Sequence, residues 1–406
     1  MQRHYGMDWL RVGAFALLIF YHIGMVFVPW GFHVKTAHPA VWVEIPMLLT
    51  NPWRLTLLFV VSGFASRALL SKSPGLGAFL KNRNARLLIP LAFGMAVIVP
   101  PQTWVELVGK YGYTHGFTWF WLHDYFHFGT LFGIVMPTWN HLWFVTYLWV
   151  YTLVLCLLAL IPGTNRLQPV FDRLFAGTRA LWLPLGFLLV TQFWLFHRED
   201  DTHDLFGDAL AHLQYFPALL FGFGLAGSRT VMAGLSRHWK LSSALAVASY
   251  ATIVGMMLAW PDFSFPTHNV ATLFRFVRQI DTWTAIAALI GLANRFLDRD
   301  NRWRAMFAEA TFPFYIIHQT IIVLVEYWLL PLHIGALAEF AILVPATVAG
   351  CWAFYLIGRR IDRLRPLIGL KRGTSPASAP RNDRETRPDA GDPWWRQHAR
   401  ARPDIA

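Results

Sequence analysis

Charge is what this chain has least of. Only 14% of its 406 residues are Asp, Glu, Lys or Arg, while 55% are hydrophobic. An ordinary soluble domain carries roughly 25% charged residues, so a water-soluble globule is excluded for most of the length. Cysteine is nearly absent. Cys156 and Cys351 both stand in apolar runs, which leaves no disulfide framework and no thiolate metal site and reads them as packing residues. No histidines have the H-E-x-x-H spacing of a zinc helix, and no catalytic metal is expected. There is no repeat at a fixed period and no pair of matching halves of the kind many secondary transporters show. Acidic residues are few as well: 23 Asp and Glu against 35 Lys and Arg give a net charge of +12. In a soluble protein that balance would raise nucleic acid as a partner. Here the placement of the charges argues against nucleic acid and for a membrane.

What fills the chain is apolar sequence. Runs long enough to cross the roughly 30 Å hydrocarbon core occur near 9–30, 53–70, 87–107, 141–162, 180–197, 209–228, 241–260, 279–297, 311–330 and 335–358. The expected fold class is therefore all-α, a polytopic integral membrane protein of about ten transmembrane helices. The eighth run is the weakest, with Arg275, Arg278 and Asp281 at its entrance and Asn294 and Arg295 at its exit. An N-terminus in the cytoplasm leaves only Lys35, Arg54, Lys110, Arg198, Arg275 and Arg278 outside, and puts the other 29 basic residues inside. By the positive-inside rule both termini are expected to be cytoplasmic.

Residues 1–360 then form the membrane domain. Residues 361–406 form a basic tail, expected to be disordered and to lie near anionic membrane lipid. The first run lacks a small-residue cleavage site and reads as an uncleaved helix. The loop from about 108 to 140, with Trp119, Trp121, Trp139, His115, His123 and His127, is expected to cap an outward-facing cavity.

The informative residues are polar groups in expensive places. The first run reads Asp8-Trp9-Leu10-Arg11, then ten residues, then His22. At about 100° per residue, the steps from Arg11 to His22 return to within roughly 20° of one helix face, and the rise separates them by about 16 Å. Asp8 lies one turn before Arg11 on that face. One face thus carries a charge near the cytoplasm and a base deep in the bilayer, where an ionisable group marks a cavity, a partner or a function. The alternatives are a neutral His22 bonded to a neighbouring helix and an Arg11 that merely sets topology.

Further along, Ser62-Gly63 suits close helix packing. Arg83 and Arg86, three apart, present a fork suited to phosphate oxygens or set topology. His141-Leu142-Trp143 opens the fourth run on the outer side. Tyr315 and His318 lie one turn apart in the ninth, with His318 either functional or structurally bonded.

In their order and positions, Asp8-Trp9-Leu10-Arg11 with His22 as an Arg-x10-His motif, Phe59 to Phe64, Arg83/Arg86, His141-Leu142-Trp143 and Tyr315 to His318 resemble the acyltransferase-3 family. These are bacterial membrane O-acyltransferases, and the resemblance is nearest to the branch containing the glucans biosynthesis protein C. The resemblance implies transfer of an acyl group, acetyl or succinyl, from a cytoplasmic acyl-CoA to a hydroxyl of a periplasmic or surface carbohydrate, in the bacterial inner membrane. No bound cofactor is implied; acyl-CoA is a donor substrate.

His22 is expected to act as general base, with Arg11 and Asp8 beside it in the motif. Arg83, Arg86, Ser62, Tyr315 and His318 are expected on the donor side, His141 and Trp143 on the acceptor side. An acyl-histidine intermediate stays open as an alternative to direct transfer. The competing class is a proton-coupled secondary transporter or exporter, in which the same His and Arg would form a relay.

Overall fold

The computed structural model describes residues 4–194 and 204–372. The chain there is almost wholly helical. In order it forms α1 (Tyr5–Gly24), α2 (Arg54–Leu70), α3 (Leu76–Phe93), α4 (Pro100–Tyr111), α5 (Trp143–Leu160), α6 (Leu167–Leu174) and α7 (Arg179–Trp194). Then come α8 (Ala209–Leu225), α9 (Arg229–Arg237), α10 (Trp239–Ala259), α11 (His268–Phe296), α12 (Arg304–Leu329) and α13 (Ala336–Arg360). Among the described residues the only strand pairing is a short antiparallel hairpin, Thr130–Leu131 with Ile134–Val135. Local sequence sets several boundaries. Asp208, Ser228 and Thr267 each accept a hydrogen bond from a backbone N–H in the first turn of α8, α9 and α11, satisfying a donor the helix start leaves bare.

Helices stand at all ten places where the apolar runs fall, but not all are apolar enough to cross a bilayer. By length and composition five qualify among the described residues: Leu76–Tyr111, Asn140–Leu160, Trp239–Ala259, Arg304–Leu332 and Ala336–Arg360. Two bent pairs raise the number to seven, α6 with α7 through 92° and α8 with α9 through 106°. The others fall short for visible reasons. α2 has 17 residues, and α1 and α11 carry Asp8 and Arg11, and Arg275, Arg278 and Asp281, within their turns. Large apolar side chains such as Trp182, Phe187 and Val190 on α7 and Leu337, Ile342 and Val348 on α13 face outward, the arrangement of helices whose outer surface meets lipid.

The site is positioned by α1, which packs against α2, α11, α12 and α13. Gly6 lets it approach α11 closely: a Cβ there would stand 2.4 Å from the Ala293 carbonyl oxygen. Gly63 serves the packing that its sequence suggests. A Cβ on it would lie 1.9 Å from the Leu219 oxygen of α8, and one on Gly222 would lie 1.9 Å from the Val60 oxygen of α2. These two helices therefore meet backbone to backbone, and no larger residue fits at either contact.

Between α3 and α4 the chain makes a π turn, Gly94–Ile98, before Pro100 and Pro101. Proline supplies no N–H, so carbonyls of that turn find other donors. Trp121 Nε1 bonds the Ala96 oxygen at 2.8 Å, Tyr125 Oη the Met95 oxygen at 2.7 Å, and Thr320 Oγ1 the Ile98 oxygen at 2.7 Å. Trp121 and Tyr125 belong to the 117–136 segment, which is thereby fastened over the helix ends around its own core of Leu107, Phe120, Tyr125 and Met136. The packed chain continues past Arg360, where the sequence suggests the tail begins. Ile368 and Leu370 are buried with Tyr355 and Ala310. Residues from 373 onward lie outside the described residues.

Candidate functional site

Three cavities in this bundle share walls. The central one, about 420 Å³, is lined by His22 and Tyr21 of α1, Phe32 and His33 of the loop after it, His141 and Trp143 at the start of α5, and Tyr315 and Gln319 of α12. The loop over it is held by Lys35, whose ammonium donates to the carbonyls of Met25 (2.5 Å), Val28 and Trp30 (2.8 Å). His33 Nδ1 bonds Glu106 of α4 at 2.5 Å.

Three imidazoles converge here, the His318 ring centroid lying 5.0 Å from that of His22 and 5.2 Å from that of His141. Their bonds assign the protons. His318 Nδ1 lies 2.8 Å from the Tyr315 carbonyl oxygen, which only accepts, so Nδ1 carries the hydrogen. With both rings neutral, His318 Nε2 is then an acceptor, and His22 Nδ1, 2.9 Å away, donates to it. His22 Nε2 is left with its lone pair on a ring that lines the cavity. The same logic applies to His141. Its Nε2 donates to the Ile316 carbonyl at 3.0 Å, and its Nδ1 is a buried acceptor with no partner. Tyr315 spends its hydroxyl on the backbone, donating to the His141 carbonyl.

The second cavity, about 220 Å³, is lined by Arg11, Ser62, Arg83, Arg86 and Glu309. Arg11 Nη2 donates to the Ala308 carbonyl at 3.1 Å and Arg83 Nη2 to Thr152 Oγ1 at 3.2 Å. The Nε of each is buried without a partner. An aromatic wall divides this arginine cavity from the histidine cavity: Phe15 lines the first, Tyr315 the second and Phe144 both. Their centroids are 5.5 Å (Phe15 to Tyr315), 6.0 Å (Phe144 to Tyr315) and 6.4 Å (Phe15 to Phe144) apart.

The third cavity, about 280 Å³, is lined by Asn51, Arg54, Gln192, Gln214, Arg275, Arg278 and Gln279 among others, and shares Arg54 and Leu55 with the histidine cavity.

The residues singled out in the sequence therefore divide between two neighbouring sites. His22, His318, Tyr315, His141 and Trp143 line or buttress the histidine cavity, and Arg11, Arg83, Arg86 and Ser62 line the arginine cavity. Asp8 stands apart from both linings, ion-paired with Arg304 at 2.8 Å, and ties α1 to α12. Sequence reasoning missed His33, Arg54 and the amide group Gln102, Asn140 and Gln319, in which Asn140 Nδ2 and Gln319 Nε2 both donate to Gln102 Oε1 at 3.2 and 3.1 Å. The available signal was an amide in the middle of an apolar run, which is as costly to bury unpaired as an ionisable group.

A family model described as an acyltransferase domain matches residues 4–356. The chain is 23% identical over 330 residues to the Glucans biosynthesis protein C of Escherichia coli O17:K52:H18, strain UMN026, and 22% identical over 330 residues to that of Escherichia coli O139:H28, strain E24377A. Each alignment covers 78% of this chain and 81% of the relative. No solved structure matches.

Proposed function

Because the chain belongs to the acyltransferase-3 family of membrane acyltransferases, we propose that it moves an acyl group from a cytoplasmic acyl-CoA to a carbohydrate hydroxyl beyond the membrane. The observation that carries the proposal is the pair of abutting cavities, one with three arginines and one with three histidines, on the two sides of Phe144. The guanidinium donors of Arg11, Arg83 and Arg86 suit the donor's phosphates. The acyl thioester reaches past the aromatic wall to His22.

A sugar hydroxyl is a weak nucleophile at neutral pH, and a positioned imidazole removes its proton as the carbon-oxygen bond forms. His22 Nε2 takes that proton, the hydroxyl oxygen attacks the thioester carbonyl, the carbon-sulfur bond breaks, and the departing thiolate takes the proton back. His318 holds the His22 ring in the tautomer this requires. The bare Nδ1 of His141 accepts a hydrogen bond from a second hydroxyl of the acceptor.

The protein is placed by this reading in the bacterial inner membrane, with about ten crossings, both termini cytoplasmic and a basic tail beyond the packed residues Ile368 and Leu370. The name of its relatives supports a glucan as the acceptor, and acetyl and succinyl both remain donors to be tried.

The test is thiol release from acetyl-CoA and succinyl-CoA by the protein in lipid nanodiscs, with and without bacterial glycans, for wild type and for His22→Ala of matched thermal stability. Acceptor-dependent release that the substitution abolishes supports the reading. Undiminished release in the variant removes His22 as the base. No release from wild type with any pair turns the assignment toward proton-coupled transport.

A further inference from the structure

The third cavity has no part in the chemistry above, yet its lining is unusual for a membrane protein. Of the six basic residues that the charge pattern leaves on the outer side, three, Arg54, Arg275 and Arg278, line this one cavity, together with Asn51 and three glutamines and, among the described residues, no carboxylate. Behind the wall, Asp281 is buried beside Arg278.

Arg54 is 9% exposed. Its guanidinium stacks on the Tyr21 ring at 3.4 Å, its Nη1 donates to the Asn51 carbonyl at 3.0 Å, and its Nε is buried with no partner. Arg278 Nη2 donates to Asn51 Oδ1 at 2.7 Å, and Asn51 Nδ2 donates to Tyr21 Oη at 2.6 Å. Gln279 Nε2 donates to Gln192 Oε1 at 3.0 Å, which leaves Gln279 Oε1 buried and unpaired. Arg54 and Gln279 thus bring to the cavity wall a buried guanidinium N–H and a buried amide oxygen, each without a partner, within a fixed frame. The first matches an oxyanion and the second a hydroxyl.

We infer that this cavity binds a carboxylate or phosphate carried by the carbohydrate acceptor, with Arg54 and Arg278 on the anion and Gln279 on a neighbouring hydroxyl. The inference rests on the proposed acyl transfer and adds the acceptor's chemical class. Since Arg54 and Leu55 belong to both cavities, an anion seated here leaves the rest of the sugar one wall away from His22. An acidic group at a fixed remove from the reacting hydroxyl would thereby select which hydroxyl is acylated.

The test measures binding of glucose, glucuronate, glucose 6-phosphate and inorganic phosphate to the full chain in phosphatidylcholine nanodiscs by thermal shift and tryptophan fluorescence. It is run on wild type, Arg278→Gln and Arg278→Lys, beside thiol release from acyl-CoA. A charge-assisted hydrogen bond to a desolvated anion is equivalent to about tenfold or more in affinity. The expected result is therefore at least tenfold tighter binding of one or both acidic sugars than of glucose, lost in Arg278→Gln and partly kept in Arg278→Lys.

Equal binding of glucose and the acidic sugars overturns the inference, as does an Arg278→Gln variant that keeps the preference. Inorganic phosphate binding as tightly as glucose 6-phosphate also overturns it, since the sugar would then contribute nothing. Repetition in phosphatidylglycerol nanodiscs separates the remaining source of phosphate: loss of sugar binding there assigns the cavity to lipid headgroups and overturns the acceptor role. Because binding needs no turnover, acidic-sugar preference without thiol release sinks the acyl-transfer reading alone. Thiol release without sugar preference sinks this inference alone.

Discussion

His318 offers a perturbation whose outcome depends on proton placement rather than on bulk. In His318→Phe the ring volume is kept at a fully buried position, but the acceptor 2.9 Å from His22 Nδ1 is gone. His22 Nδ1–H is then left unsatisfied, at a cost of about 1–3 kcal/mol for a buried donor. The imidazole escapes by moving its hydrogen to Nε2, which removes the lone pair to which the proposed reaction assigns the acceptor's proton. At about 1.4 kcal/mol per factor of ten, kcat should fall about 10- to 100-fold, with the KM for acyl-CoA little changed, because the arginine cavity lies beyond Phe144. His318→Gln presents an amide oxygen near the lost Nε2 and should recover activity to within about tenfold of wild type by the same arithmetic. Steady-state thiol release in nanodiscs, on variants matched for melting temperature, reads the difference. A Phe variant within twofold of wild type would refute the orienting role, and Phe and Gln variants that fall equally would point to proton transfer through His318 instead.

At the α2–α8 contact, Gly63→Ala or Gly222→Ala sets a Cβ 1.9 Å from a backbone oxygen. Overpacking should cost about 1–3 kcal/mol, seen as a lower melting temperature. Gly13→Ala meets nothing within 4 Å and should be neutral or stabilise α1 by about 0.5–1 kcal/mol. Phe144→Leu thins the wall between the two cavities, so thiol release in the absence of acceptor should rise relative to glycan-dependent release; an unchanged ratio would show that the wall does not exclude water. Lys35→Met removes three bonds to loop carbonyls and should raise the KM for acceptor while leaving that for acyl-CoA within twofold; equal changes in both would show that the loop serves the whole bundle.

The periodicity of α1 singled out Arg11 and His22, because two polar groups at helical spacing stand out against an apolar background, and the structure sets them in two neighbouring cavities. The same contrast exposed Arg83, Arg86 and His318. It did not reveal that Asp8 would turn to Arg304, since an ion pair between α1 and α12 depends on which helices adjoin, and hydropathy carries no information on neighbours. It also counted α1, α2 and α11 as spans on the same footing as α13. In the structure these three helices line the cavities together with α5 and α12, and of these only α5 and α12 qualify as spans by their own length and composition. Polar residues such as Arg54, Arg278 and Asp281 weaken the hydropathy signal of the helices that hold them, and Arg54 and Arg278 give the third cavity its lining. In this chain α11, which begins before the eighth and weakest run, contributes from its earlier turns two of the three arginines that line the third cavity.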